Sequence, residues 1–128
     1  MDTKEIDIAW LNEITDKIIG AAIQVHKTLG AGFTEKIYHD ALCIEFEAHN
    51  ILYEKEKIIK VEYKDKLLGE QRVDLLVENE IILELKAVEN IGNIHIAQLI
   101  SYLKTLKKKI GLILNFAESK LAIKRVII

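Results

Sequence analysis

The chain contains a single cysteine, Cys43, and no proline among its 128 residues. One thiol excludes an internal disulfide framework and any multi-cysteine metal centre, which makes a reducing cytoplasm the expected location. Long apolar runs are also missing. The uncharged stretches last only a few residues, against the roughly 20 needed to span a bilayer, so no membrane partner is expected. The segment Met1-Asp2-Thr3-Lys4-Glu5 lacks the basic start and apolar core of a signal peptide. Excess basic charge is absent too: the net charge is −2 and the pI about 6.1, an average that argues against a nucleic-acid partner. What is present is globular. Half of the residues are apolar and 30% are charged, a balance that excludes disorder, and the length suits one domain, 1–128.

The charge is unevenly distributed. Ten acidic residues stand against four basic ones through Glu54, whereas fourteen basic stand against ten acidic from Lys55 onward. From Leu103 to Ile128, Lys104, Lys107, Lys108, Lys109, Lys120, Lys124 and Arg125 face Glu118 alone. Such asymmetry allows a basic face on a chain of neutral average, with ordinary solvated lysines as the plain alternative.

Hydrophobic periodicity orders the elements. Trp10, Ile14, Ile18, Ala22, Val25 and Leu29 recur every three or four residues, which predicts a helix from about Asp7. Gly30-Ala31-Gly32 closes it, and Thr34 caps a second helix to about His49 carrying Ile37, Ala41, Leu42, Glu45 and Phe46. No proline interrupts either pattern. The period then shortens towards two. Ile58–Tyr63, Gln71–Val77 and Ile81–Ala87 read as strands, with Lys64-Asp65-Lys66 and Glu78-Asn79-Glu80 as turns. A helix starting near Ile91-Gly92-Asn93 bears Ile96, Leu99, Ile100, Leu103 and Leu106. Ile110–Phe116 reads as a strand buried on both faces, and Leu121–Ile128 as a last one. The expected class is α/β: a sandwich around a central mixed sheet with a strand meander, flanked by helices.

The residues able to carry chemistry lie on the central hairpin. A turn centred on Asn79 sets position 74 opposite position 84, so Asp74 and Glu84 face each other with Cβ atoms about 5 Å apart. Two such carboxylates repel unless a cation sits between them or one keeps its proton. Lys86 lies two residues beyond Glu84, on the same side of the strand. The plain alternative is an internal Glu84–Lys86 salt bridge with Asp74 at a sheet edge. The functional alternative is a pair of hard oxygen ligands for Mg²⁺ with an ammonium alongside, placed to activate water or to stabilise charge growing on phosphorus.

Asp74, nine intervening residues and then Glu84-Leu85-Lys86 resemble the signature of the PD-(D/E)XK, or restriction-endonuclease-like, nuclease superfamily. The helix–meander–helix–strand order is similar to that superfamily's α-β-β-β-α-β core. Gly32-Phe33-Thr34-Glu35-Lys36-Ile37-Tyr38 is similar to the motif of the bacterial GxxExxY protein family, as are Ala97–Leu103 and Leu114-Asn115-Phe116. Val73 stands where the superfamily's proline stands, a residue that shapes a turn and ligates nothing.

The resemblance implies a Mg²⁺-dependent phosphodiesterase, with Mn²⁺ as a substitute, in which Asp74, Glu84 and Lys86 are catalytic. It implies that Glu35 binds the metal or orients the water it carries, where a first-turn glutamate favoured by the helix dipole is the plain alternative. Gln98 and Tyr102, four residues apart on one helix face, resemble the Gln-x-x-x-Tyr element of RecB-like nucleases and are implied to hold the substrate or the lysine. Tyr38 either joins that pocket or packs. His26 is expected to be structural, His95, near the third helix's start, either to approach phosphate or to carry no role, and Cys43 to fill core. The partner implied is nucleic acid, DNA before RNA, contacted through phosphates by the lysine-rich C-terminal third. With Arg72 and Arg125 the only arginines, low sequence specificity or structure selection is expected. A homodimer through the first helix or terminal strand is a further expectation. The rival class is a catalytically silent nuclease fold acting as a nucleic-acid or protein adaptor, with Asp74, Glu84 and Lys86 as a buried polar network.

Overall fold

The structure, a computed structural model, describes residues 8–128; the expected helix start at Asp7 and the segment Met1 to Glu5 lie outside the described residues. The element order is α1 (Ile8–Leu29), α2 (Glu35–Ala48), β1 (Tyr53–Tyr63), β2 (Lys66–Val77), β3 (Ile81–Lys86), α3 (Asn93–Leu106), β4 (Ile110–Asn115) and β5 (Ala122–Ile127). The strands form one mixed sheet in the order β1-β2-β3-β4-β5. Every neighbour is antiparallel except β3 and β4, which run parallel because the α3 crossover joins them.

Helices cover both faces. On one, α1 and α2 pack Ile14, Ile18, Val25, Leu42 and Phe46 against Leu75, Val77, Leu83, Leu85, Leu112 and Leu114. On the other, Leu99, Tyr102 and Leu103 of α3 pack against Val73, Leu76, Ile82 and Ile113. Burial on both faces explains why β3 and β4 are nearly continuous apolar runs. The second face closes tightly at Gly111, where a Cβ would stand 2.6 Å from Leu99 Cδ1. Gly30 and Gly32 take φ of +72° and +111° between α1 and α2, values that favour glycine.

Three expectations change. Trp10 is 43% exposed and Leu11 opens the buried stripe instead; at 100° per residue Trp10 stands about 80° from Ile18, at the stripe's edge. Ile37 is exposed and Tyr38 takes its place in the core. The first hairpin is longer than its pattern suggests, starting at Tyr53 and turning at Lys64 and Asp65, both with positive φ. Its outer half is exposed on both faces, so no alternation marks it.

Candidate active site

The β2–β3 turn has Glu78 and Asn79 at positive φ, and the register is Val77↔Ile81, Leu76↔Ile82 and Leu75↔Leu83. There the two strands part. β2 continues against β1, and β3 continues against β4 to Lys86↔Asn115. Asp74 and Glu84 occupy the fork, and each carboxylate accepts a hydrogen bond from the other strand's backbone. The Asp74 N–H donates to Glu84 Oε2 at 2.9 Å, and the Leu85 N–H donates to Asp74 Oδ2 at 2.7 Å. Side chains thus replace the missing ladder bonds and hold the strands apart. No buried side-chain oxygen or nitrogen among the described residues lacks a partner.

Burial sets the electrostatics. Glu84 is 4% exposed, and its carboxyl is pushed up to about 8, first by burial and then by the charge of Asp74. Asp74 is also raised, mainly by burial, against the lowering effects of the Leu85 N–H, Lys86 and His39. Lys86 is half-buried and forms no ion pair among the described residues. The internal Glu84–Lys86 salt bridge is therefore not formed, although the ammonium favours the ionised form of both carboxyls.

Asp74 and Leu85 form the floor of a cleft of about 410 Å³ between α2 and the base of the β1–β2 hairpin; Glu35, Lys36, His39 and Asp40 line one wall, and Lys55 and Glu56 the other. Glu35 is exposed in the first turn of α2, and its charge raises both carboxyls. The structure does not gather it with them into a ligand set: among the described residues no three His, Cys, Asp or Glu are grouped to hold a metal. His39 ties α2 to the fork through Nε2, 3.2 Å from the Asp74 carbonyl. A carbonyl only accepts, so that nitrogen carries the hydrogen. Its spacing of four residues from Glu35 was the available signal.

The other expected site residues separate. Tyr102 is buried, and its hydroxyl donates to Gln71 Oε1 at 3.2 Å; Glu84 and Asp74, after burial, raise its pKa, which puts it within electrostatic reach of the fork. Gln98 is half-buried one turn earlier on α3. Tyr38 takes the packing alternative: it is fully buried and is not among the residues lining the cleft. Its ring stacks on Phe116 at 4.4 Å, and its hydroxyl donates to the Gly30 carbonyl at 2.6 Å and accepts the Phe33 N–H at 3.2 Å. Packing is its role, and it pins the loop that precedes Glu35. His26 is structural as expected, with Nε2 2.8 Å from the Glu118 carbonyl. His95 accepts the Gly92 N–H through Nδ1 at 3.0 Å and so closes the first turn of α3. Cys43 is buried core. Asn115, part of the family-like Leu114-Asn115-Phe116 segment, is buried and fixes the segment after β3 by bonds to both the N–H and the carbonyl of Val88.

The sequence pattern of the PD-(D/E)XK nuclease superfamily matches residues 12–126. The chain belongs to that superfamily. A solved structure described as a crystal structure of SSO0001 shares the fold over 73% of this chain, with a TM-score of 0.56 and 20% identity. This PD-(D/E)XK chain spans half the length of that one. No curated protein matches it. PD-(D/E)XK nucleases typically use divalent metals, and the donors at this fork suit one. Asp74 and Glu84 offer hard oxygens, their mutual repulsion is what a cation relieves, and Mg²⁺ needs only one or two protein carboxylates. Among the described residues, no helix is long and apolar enough to cross a membrane.

Proposed function

We propose that the chain is a metal-dependent nuclease hydrolysing phosphodiester bonds in DNA, or RNA in its place, with low sequence specificity or selection by structure. The observation that carries this reading is the fork at Asp74 and Glu84, where two carboxylates hold two strands open beside Lys86, which forms no ion pair among the described residues. Asp74 and Glu84 would hold Mg²⁺ or Mn²⁺, which when bound polarises a phosphoryl oxygen and lowers the pKa of water. Glu35, on the cleft wall, orients the attacking water by accepting its hydrogen. Lys86 places a positive charge beside the reacting phosphate, where it assists deprotonation of that water or offsets the charge developing on the phosphoryl oxygens. Tyr102 and Gln98 support the fork from the α3 side. With only two arginines, Arg72 facing Glu56 at 3.9 Å and Arg125 bonded to Asn12, bidentate reading of guanine has little to draw on. A cytoplasmic setting and a homodimer, using the exposed Trp10 and Ile23 of α1 or Ile123 and Ile127 of β5, belong to the same proposal. An adaptor would be favoured by a sealed Glu84–Lys86 pair, which is not formed.

Calorimetric titration with Mg²⁺ or Mn²⁺ tests the proposal at its base. The wild type is expected to bind in the millimolar to micromolar range, and Asp74→Ala to lose that binding. Identical isotherms for the two proteins would remove these residues as ligands.

A further inference from the structure

We infer that the substrate backbone crosses the molecule between α2 and the base of the β1–β2 hairpin, with the Lys55 ammonium holding a phosphate beside the one that is cut. This rests on the nuclease reading and goes beyond it by assigning the contact surface, which charge distribution along the sequence had located in the C-terminal third.

Topology separates that third's main lysine cluster from the fork. Because β3 and β4 are parallel with Ile81 beside Ile110 and Lys86 beside Asn115, the fork lies at the C-terminal end of β3. Lys107, Lys108 and Lys109 immediately precede the opposite end of β4. Glu84 stands beside Ile113, four residues past Lys109, so about 13 Å of strand separates the fork from the nearest of these lysines, and Lys104 stands on the last turn of α3 on that remote side. Exposed charges at such a distance are screened, since the Debye length is about 8 Å at physiological ionic strength.

The cleft carries its own cations. Lys36 is held by Asp40 at 2.6 Å. Just beyond Lys55 on the hairpin, Lys57 faces Glu54 at 3.5 Å and Arg72 faces Glu56 at 3.9 Å. Lys55 lines the cleft, is exposed, and forms no ion pair among the described residues. Its backbone stands opposite Leu75, the neighbour of Asp74. The same cleft is lined by Glu35, Asp40, Glu56 and Asp74, so an approaching polyanion is repelled unless an unpaired cation meets it there. Lys55 meets that need.

The test measures affinity for a short fluorescent DNA, duplex and single-stranded, across a salt series. It uses the full chain in EDTA, so that binding is read without cleavage. Lys55→Ala should lower the slope of log K against log [salt] by about 0.9 for duplex and 0.7 for single strand, the value of one lost phosphate contact. Lys55→Arg should restore it. Changing Lys107, Lys108 and Lys109 together to alanine should leave both slope and affinity as in the wild type. A Lys55→Ala slope equal to the wild type, a slope lost in the triple variant, or a wild type that binds no DNA would each overturn the inference. Failure of the underlying reading is told apart by cleavage with Mg²⁺: a wild type that cuts DNA with a KM indifferent to Lys55→Ala sinks only the contact surface, whereas a wild type that cuts nothing sinks the nuclease itself.

Discussion

Lys86→Ala is expected to yield a folded protein with its cleavage rate lowered by at least about a hundredfold, the lower range for a positioned acid–base group. The side chain is half-buried and forms no ion pair among the described residues, so truncation strands no buried partner. The backbone pairing of position 86 with Asn115 is untouched by the change. A group that acts mainly in the transition state lowers kcat without a matching change in ground-state binding, so KM and metal affinity should move little. A lysine closing a buried pair with Glu84 behaves differently: its loss costs about 3–5 kcal/mol of stability. A thermal melt and a single-turnover assay separate the two. A normal melt with a lost rate supports the assignment, and a collapsed melt contradicts it.

Glu84→Gln should remove most of the metal-free decline of stability with rising pH. The Glu84 carboxyl titrates at about 8 in the fold against an ordinary 4.5. Between those values the native state keeps a proton that the unfolded state has released, so stability falls as pH rises. The decline begins near 4.5, proceeds at about 1.4 kcal/mol per pH unit, and levels off above 8. The total, from 4.5 to about 8, is on the order of 5 kcal/mol. Glutamine cannot ionise, yet its carbonyl still accepts the Asp74 N–H. The metal-free variant should therefore melt above the wild type at pH 8–9, and the two should converge near pH 5. Mg²⁺ should reverse the order at high pH, because it stabilises only the protein whose carboxylate pair can ionise around it. Superimposable pH profiles without metal would contradict the burial and repulsion assigned to Glu84.

The features legible in the sequence were those set by local rules. A turn centred on Asn79 determines the register of β2 and β3, and the juxtaposition of Asp74 with Glu84 follows from period-two geometry. Apolar runs revealed β3 and β4 because both of their faces are covered. Tertiary placement was not legible. His39 and Lys55 line the cleft beside the fork from α2 and β1, elements that converge there only in the folded protein. The lysines around 107–109 are rich in charge but are carried to the far end by a parallel crossover that no local pattern records. Tyr38 shows the limit of reading by motif: Gly32, Glu35 and Tyr38 sit close in sequence, yet one supplies the turn, one faces the cleft, and one is buried to pin the loop.

The most direct test of the account is cleavage of a panel of labelled DNA and RNA structures, comparing the wild type with Asp74→Asn, in Mg²⁺ and in EDTA. The account predicts Mg²⁺-dependent cutting of at least one nucleic acid by the wild type, none in EDTA, and none by Asp74→Asn although that variant remains folded. Cutting that persists in folded Asp74→Asn, or a wild type inert towards every substrate with Mg²⁺ and with Mn²⁺, would contradict it.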